Sequence, residues 1–141
     1  MYFDTSYIAK VYLPEPESDR VQDLIRGADT IHSSVWAVAE LHAVLHRSVR
    51  ERNASPRAIH ELASRFLHDI ETGLWHLVPV GEAPRRRTSA LILSTFASLF
   101  LHAADAVHLT TAQKLGERDI WTNDRHMLSA AGYFGFRGCS V

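Results

Sequence analysis

Apolar and polar positions along the chain form two kinds of pattern, short apolar runs and longer segments with helical periodicity. The clearest helical segment begins at Ser55-Pro56, where an N-cap residue precedes a proline in the favoured first position of a helix. Its apolar residues recur at helical spacing until Gly73, and they are Ile59, Leu62, Ala63, Phe66, Leu67 and Ile70. A second long helix with one apolar stripe is predicted over Val35–Arg52. Both helices are therefore predicted to pack one face against a core.

Between the helical segments, short apolar runs predict the strands of a sheet. The predicted strands are Met1–Asp4, Thr30–Ser33, Leu74–Val80 and Asp119–Thr122, and the glycine-rich segment 132–138 is predicted to add a weak last strand. Further helices are predicted over Ser6–Leu13, from an N-cap at Ser18 through Arg26, and over Arg85–Leu99, Ala104–Leu115 and Arg125–Ala131. Strands separated by helices of this length predict an α/β fold with a central parallel sheet. Because no repeat or linker interrupts the pattern, residues 1–141 are predicted to form a single domain.

The composition is that of an ordinary globular protein. The 141 residues are 46% hydrophobic and 22% charged, and a chain of this length buries roughly two-thirds of its unfolded surface. The single cysteine, Cys139, excludes an internal disulfide and fits a reducing compartment. No signal-peptide pattern follows Met1, and the longest apolar stretch, Ala90–Ala104, is too short and too interrupted to cross a bilayer. We therefore expect a cytoplasmic protein that does not enter a membrane.

The charges give a weaker indication of the partner. A formal net charge of −1 produces no general attraction to nucleic acid. Nearly all of the basic residues are arginine, the better bidentate ligand for phosphate, and several of them cluster. The clusters consist of Arg47, Arg50, Arg52 and Arg57, and of Arg85, Arg86 and Arg87. They could contact a nucleic-acid backbone or be solvated helix surfaces, and charge alone leaves both interpretations open.

Two acidic residues stand where predicted strands end. Asp4 closes the first strand, and Asp124 follows the strand predicted over 119–122. In an open parallel sheet the binding crevice lies beyond the carboxyl ends of the strands, so both side chains belong at that crevice. Each residue could instead be the N-cap of the helix that follows it.

Two further acidic residues lie within predicted helices. Asp105 falls on the same stripe as Leu109 and Ala112, where a carboxylate is costly to bury unless it is paired or metal-bound. It also lies in the first turn of its helix, where the helix dipole favours negative charge. Glu40 lies at the border of the apolar face of its helix, and it could also be an ordinary flanking residue paired with Arg47.

Together, these four carboxylates predict a metal-binding catalytic site made of Asp4, Glu40, Asp105 and Asp124. Carboxylates gathered in one crevice repel one another, and a bound divalent cation such as Mg²⁺ offsets that repulsion. Such a site can activate water and neutralise charge on a phosphate, which points to hydrolysis of phosphodiester bonds. Neutral polar neighbours could hold a water molecule or a phosphate oxygen, and they are Thr5, Ser6, Thr122 and Asn123.

Histidine and tryptophan residues offer other candidate sites, each with a simpler explanation. His42 and His46 have the i, i+4 spacing of a helical zinc pair, but no glutamate follows His42, and a surface or packing role is expected. His108 lies one turn after Asp105 and could hydrogen-bond to it or simply pack between helices. The tryptophans stand in apolar contexts and are expected in the core rather than on a base-stacking surface, and they are Trp36, Trp75 and Trp121.

Four segments match, in their order and spacing, the pattern of a known family. They are Tyr2-Phe3-Asp4-Thr5-Ser6 through Lys10, Val38-Ala39-Glu40-Leu41, Ala104-Asp105-Ala106-Val107-His108-Leu109 and Trp121-Thr122-Asn123-Asp124-Arg125. With them, nearly the whole chain resembles the PIN-domain ribonucleases, in particular the VapC-type toxins of bacterial toxin–antitoxin pairs. The resemblance implies an α/β/α sandwich that hydrolyses RNA with Mg²⁺ or Mn²⁺ held by the four acids, Asp4 and Asp105 being the surest ligands. It also implies a homodimer and a cognate antitoxin, which in this family often inserts a basic side chain among the acids.

The leading prediction is therefore a metal-dependent endoribonuclease that acts as a toxin. One alternative is a PIN-like module that binds RNA or protein without cutting, and another is a DNA nuclease of related fold. The second alternative is disfavoured because nothing in the chain resembles the extra helical elements with which such enzymes thread DNA. The sequence leaves open which RNA is cut, and whether Asp124 binds the metal directly or through water.

Overall fold

The computed structural model describes residues 1–141, and its centre is a five-stranded sheet. The strands are β1 (Tyr2–Phe3), β2 (Ile31–Ser34), β3 (Trp75–Val78), β4 (Asp119–Trp121) and β5 (Arg137–Cys139). They lie in the order β3-β2-β1-β4-β5, and every neighbouring pair is parallel. The predicted α/β fold with a central parallel sheet is confirmed, including its short last strand.

Seven α-helices connect and cover these strands. They are α1 (Thr5–Tyr12), α2 (Ser18–Arg26), α3 (Trp36–Arg50), α4 (Pro56–Glu71), α5 (Glu82–Ser94), α6 (Ala103–Leu115) and α7 (Arg125–Ala131). The predicted N-cap of α4 is present, because the Ser55 hydroxyl accepts the backbone N–H of Ala58 at 3.2 Å. Gly116 ends α6 with a φ of +69°, a left-handed conformation that glycine adopts without steric cost.

Successive side chains of β1 lie in separate cores on the two faces of the sheet. Phe3 packs in the core formed with α1 to α4, which also contains Tyr7 and Trp75. Tyr2 packs in the core formed with α5 to α7, which contains Leu109. Neighbouring strand positions face opposite sides of a sheet, so a strand that is covered on both faces is apolar throughout. The helices therefore form the outer layers of an α/β/α sandwich.

The order of the strands creates a crevice beside β1. From β1 the chain proceeds to β2 and then to β3 on one side, whereas β4 lies on the other side of β1. Tyr2 is in register with His32 of β2 and with Ile120 of β4. Just beyond β1, the Asp4 N–H donates to the Trp121 carbonyl at 3.0 Å. Parallel sheets bind ligands at such a switch point, outside the carboxyl ends of the strands.

Helix α5 differs from the prediction, since it spans Glu82–Ser94 rather than 85–99. At its carboxyl end the Ser94 and Thr95 hydroxyls donate to the Leu91 carbonyl at 3.1 Å and 2.7 Å. Local side-chain bonds of this kind compete with the helical ladder and favour its termination. The chain therefore leaves the helix early, and residues 95–102 form an irregular connection to α6.

Two smaller predictions are wrong. Ser18 is the first residue of α2 and not its N-cap, which is Glu17. The Ser18 hydroxyl instead closes the preceding loop, where it accepts the Glu15 N–H and donates to the Leu13 carbonyl, both at 3.0 Å. Trp36 is 47% exposed at the start of α3, whereas Trp75 is buried as expected.

None of the helices combines the length and the apolar character that crossing a bilayer would require.

Candidate active site

A cavity of about 480 Å³ opens at the carboxyl edge of β1 and β4, and all four predicted acids line it. Asp4 follows β1, Glu40 lies on α3, Asp105 lies in the first turn of α6, and Asp124 follows β4. The fold thus brings together carboxylates that are separated by up to 120 positions in the sequence. His108 and the predicted polar neighbours Thr5, Ser6 and Asn123 line the same cavity.

Asp4 is held by three donors and is only 5% exposed. Its Oδ1 accepts the Ser6 hydroxyl at 2.6 Å and the Tyr7 N–H at 3.1 Å, and its Oδ2 accepts the Thr122 hydroxyl at 2.6 Å. Asp4 is therefore the N-cap of α1, and it also lines the cavity. Burial raises the pKa of Asp4, although His108 and the three donors act in the opposite direction.

Glu40 is fixed by a hydroxyl and an imidazole. Its Oε2 accepts the Thr5 hydroxyl at 2.6 Å and lies 2.8 Å from His108 Nε2, while Oε1 makes no hydrogen bond within the protein. The predicted alternative, a pairing with Arg47, is absent. Burial by itself would raise the pKa of Glu40, but the hydrogen bond and charge of His108, together with the Thr5 bond, outweigh it and lower the pKa. Glu40 is therefore ionised at neutral pH.

His108 has a clearer role than the sequence indicates. It is 3% exposed, and its partner is Glu40 rather than Asp105, which was one of the two possibilities left open by the sequence. The Asp105 carboxylate is engaged on its own helix, where Oδ2 accepts the backbone N–H of His102 at 2.9 Å in a capping box. On its other side, His108 Nδ1 lies 2.8 Å from the Tyr2 hydroxyl. A polar residue on the buried stripe of α6 is the signal in the sequence that could have indicated this role.

Asp105 and Asp124 each use one oxygen for a helix and leave the other without a bond. Asp105 Oδ1 has no hydrogen-bond partner in the protein, and its side chain is 14% exposed. Asp124 is the N-cap of α7, because its Oδ1 accepts the His126 and Met127 N–H groups at 2.7 Å and 3.0 Å. Its Oδ2 has no partner. Asp124 therefore is the N-cap that the sequence offered as an alternative to a metal ligand. The capping bonds use only Oδ1, so Oδ2 stays available at the cavity.

A network of hydroxyl groups joins the segment that contains Asp4 to the segment that contains Asp124. Thr122 is fully buried, and its hydroxyl donates to Asp4 and accepts the Asp124 N–H at 3.0 Å. The Ser6 hydroxyl likewise donates to Asp4 and accepts the Asn123 N–H at 2.8 Å. These bonds orient Asp4 relative to the segment after β4, and they account for the small polar residues that surround the acids.

Two exposed charged residues complete the lining of the cavity, Glu15 and Arg47. Arg47 forms no ion pair, although it faces a cavity with several carboxylates. Its guanidinium remains available to an anion that enters the site. Arg47 belongs to an arginine cluster for which the sequence left both a phosphate contact and a solvated surface open, whereas the sequence pattern gave no sign that the loop residue Glu15 would line the cavity.

The donor atoms of the site suit a hard divalent cation. No three His, Cys, Asp or Glu side chains converge closely enough to enclose a metal ion by themselves. Mg²⁺ requires less than that, because it commonly uses one or two carboxylates and keeps several waters. Unbonded carboxylate oxygens of Glu40, Asp105 and Asp124 meet this need. By contrast, His42 and His46 lie along an apolar groove between α3 and α4, away from the acids.

Known proteins resemble this chain over nearly its whole length. The family model of the PIN domain matches residues 1–133. The ribonuclease VapC46 of Mycobacterium tuberculosis is 30% identical over 142 aligned residues, which cover 96% of this chain and 92% of the relative. The crystal structure of Mycobacterium tuberculosis VapC20, a toxin that cleaves the sarcin–ricin loop, matches with a TM-score of 0.73 and 17% identity. That match covers 96% of this chain and 98% of VapC20, and it shows a common fold.

Proposed function

The chain belongs to the PIN domain family, and on that premise we propose that it is a metal-dependent endoribonuclease acting as the toxin of a bacterial toxin–antitoxin pair. The observation that carries the proposal is the single cavity lined by Asp4, Glu40, Asp105 and Asp124. Like charges gathered in this way oppose folding, so their presence is explained by a function rather than by stability. The similarity to a ribonuclease over most of both chains supports RNA as the substrate.

The four acids are proposed as the ligands of one or more Mg²⁺ or Mn²⁺ ions, with Asp4 and Asp105 as the main ligands. The all-oxygen donor set favours these ions over zinc, which prefers nitrogen and sulfur. When bound, the ion would supply positive charge against the phosphodiester and make a water molecule a better nucleophile. Asp124 is proposed to act either directly or through a water molecule, because its capping bonds leave one oxygen free.

Glu40 is proposed to accept a proton from the attacking water. Its lowered pKa keeps it ionised, and Oε1 makes no hydrogen bond within the protein. Thr5 and His108 both hold Oε2, so the carboxylate has a fixed orientation before substrate arrives. A general base placed in this way commonly contributes about 100-fold to 10,000-fold to a rate.

Arg47 is proposed to contact the RNA backbone at the rim of the cavity. It is the one arginine that lines the cavity, and it has no carboxylate partner. A guanidinium can bind a phosphate through two parallel hydrogen bonds, which would position the phosphodiester against the acids. The remaining arginines of its cluster are proposed to extend this contact along the strand.

The test is cleavage of a pool of single-stranded RNA by the purified protein with Mg²⁺ or Mn²⁺, with and without EDTA. We expect cleavage that EDTA abolishes and that a folded Asp4→Asn/Asp105→Asn double variant lacks. Undiminished cleavage by that variant would reject the site. Binding of RNA without cleavage would instead favour the non-catalytic module, and cleavage of DNA alone in a parallel reaction would favour the DNA nuclease.

A cognate antitoxin, a homodimer and a cytoplasmic location are proposed with the toxin role. The resemblance to VapC-type toxins supports all three, and the described chain has no membrane-spanning helix. The test of the antitoxin is to coexpress the chain with any small DNA-binding protein encoded directly upstream. Copurification together with loss of RNA cleavage would support the pair, and independent purification of the two proteins would count against it.

A further inference from the structure

A group of three aromatic rings flanks the acidic cavity, and we call its residues, the exposed Phe100 and His102 and the half-buried His126, the Phe100 platform. The Phe100 side chain is 54% exposed, in the irregular segment between α5 and α6. Its ring centroid lies 4.6 Å from that of His102 and 4.6 Å from that of His126. The ring planes meet at 89° and 50°, so the three rings do not stack face to face on one another.

The platform is fixed to two of the four acids. Asp105 Oδ2 accepts the backbone N–H of His102 at 2.9 Å and lies 3.3 Å from His102 Nδ1. Asp124 Oδ1 accepts the backbone N–H of His126 at 2.7 Å. Because Phe100 contacts both histidine rings, it lies beside the cavity at the edge formed by these two acids. A ligand whose phosphate reaches the acids would bring its neighbouring groups to this ring.

Neither the core nor the proposed catalytic chemistry uses Phe100. A phenylalanine that remains half exposed forgoes most of the free energy that burial would contribute, and the ring belongs to neither of the two cores. A nearby pair, Phe96 and Tyr133, is also exposed, but neither residue hydrogen-bonds to an acid of the cavity. The feature that distinguishes Phe100 is its position next to the catalytic carboxylates.

We propose that the Phe100 platform stacks a nucleobase next to the phosphodiester that is cleaved. The proposal rests on the proposed function, since it names the part of the RNA that the cavity itself does not recognise. The cavity lining is mainly carboxylate, hydroxyl and amide groups, which suit a phosphate and a cation rather than a base. Single-stranded RNA is commonly held by bases stacked on phenylalanine and histidine rings.

Charge next to the platform also favours a nucleotide. Arg125 lies between Asp124 and His126, is exposed and forms no ion pair. An aromatic ring can stack a base, and an unpaired arginine that adjoins the platform in the sequence can bind the phosphate of the same nucleotide. A second copy of this chain could also cover the exposed rings, but that contact would not explain why the platform is hydrogen-bonded to the acids. One experiment distinguishes a bound nucleobase from a second copy of the chain.

The experiment compares two probes in the Asp4→Asn background, so that cleavage does not consume the RNA. One probe is a fluorescein-labelled short oligoadenylate, and the other is a chain of the same length that has abasic ribose units. Replacement of Phe100 by alanine is expected to weaken oligoadenylate binding by about 5-fold to 100-fold, the usual effect of losing one stacked base. Binding of the abasic chain should not change. Phe100→Trp should retain the affinity for oligoadenylate, and Phe96→Ala is the matched control for loss of an exposed ring.

Equal oligoadenylate affinity with and without Phe100 would overturn the proposal, and so would an equal loss for both probes. A change in the particle mass on Phe100→Ala, measured by light scattering, would also overturn it, because the surface would then be a contact between copies. Cleavage by the chain with native Asp4 is measured separately. If it fails while the stacking preference is present, the proposed catalytic function is wrong but the base-binding site stands.

Discussion

His108 Nε2 lies 2.8 Å from Glu40 Oε2, and both side chains line the acidic cavity. Because Glu40 is ionised, it acts as the acceptor, and Nε2 carries the proton. On the other side of the ring, the Tyr2 hydroxyl lies 2.8 Å from Nδ1, and burial raises the pKa of Tyr2, so the hydroxyl stays protonated. The Tyr2 hydroxyl thus holds the His108 ring from the side opposite Glu40. This chain of bonds fixes the orientation of Glu40 from the buried strand outward.

Replacement of Glu40 by glutamine should remove the proposed base and keep the fold. The amide oxygen can still accept from Thr5 and His108, so the protein is expected to remain folded by circular dichroism. RNA cleavage under single-turnover conditions should fall by about 100-fold to 10,000-fold, since a general base contributes that much. Glu15→Gln is the matched control, because Glu15 lines the same cavity but is exposed on a loop. Similar losses for both variants would show that the cavity needs negative charge rather than a base at Glu40.

Asp4→Asn is expected to abolish cleavage and to stabilise the protein. Burial raises the pKa of Asp4, so the folded state binds this proton more tightly than the unfolded state, and ionisation opposes folding. The variant should therefore gain on the order of 1 kcal/mol in the free energy of unfolding at neutral pH, the usual size for one stabilising substitution. Urea denaturation in EDTA measures this gain without bound metal.

The pH dependence of that gain provides the check on its cause. The stabilising contribution of a group with a raised pKa is fully present below the unfolded value, about 3.9 for aspartate, and is lost as the pH rises through the folded value. The gain in the free energy of unfolding from Asp4→Asn should thus be absent below about pH 3.9. It should grow as the pH rises from that value to the raised pKa of folded Asp4, and it should stay constant at higher pH. A difference that is independent of pH would mean that burial of the charge is not the cause.

The sequence predicted the sheet and the positions of the acids better than it predicted their contacts. Strand ends and the helical stripe of Asp105 are local patterns, and the parallel order brings such positions to one edge of the sheet. The assignment of the acids as ligands and catalysts stays a prediction. The partner of His108 could not be derived, because Glu40 lies 68 positions away and only the packing of both α3 and α6 against the sheet brings the two side chains together.

The early end of α5 was also beyond the sequence pattern. Apolar residues continue past Ser94 at helical spacing and predicted a helix through Leu99. The hydroxyls of Ser94 and Thr95 compete with backbone N–H groups for the Leu91 carbonyl, which favours the end of the helix there. The spacing of apolar residues contains no information about this competition. The irregular segment that follows contains Phe100, the central residue of the proposed base-stacking platform.

Thr122→Val should reduce activity by removing the bond that orients Asp4. The substitution keeps the shape of a fully buried side chain but removes the donor to Asp4 Oδ2 and the acceptor for the Asp124 N–H. Loss of such a supporting bond usually lowers metal affinity or activity by about 10-fold to 100-fold. The half-maximal Mg²⁺ or Mn²⁺ concentration for cleavage should rise. Thr88→Val, which breaks a buried bond to Thr110 between α5 and α6, controls for a general loss of stability. If Thr88→Val shifts the metal dependence equally, the effect of Thr122 is one of stability alone.

Arg47→Gln should weaken RNA binding through its phosphate contact and change the dependence on salt. Arg47 lines the cavity without an ion partner, so an RNA phosphate can bind it without displacing a carboxylate. Each phosphate contact to single-stranded nucleic acid contributes about 0.7 to the slope of log affinity against log salt concentration. The slope of Arg47→Gln should therefore be shallower by about that amount, with little dependence on RNA sequence. Arg20→Gln on α2 is the matched control, because Arg20 is exposed, does not line the cavity and belongs to neither arginine cluster. Unchanged slopes for Arg47→Gln would remove Arg47 from the RNA path and leave the acids to position the phosphodiester without it.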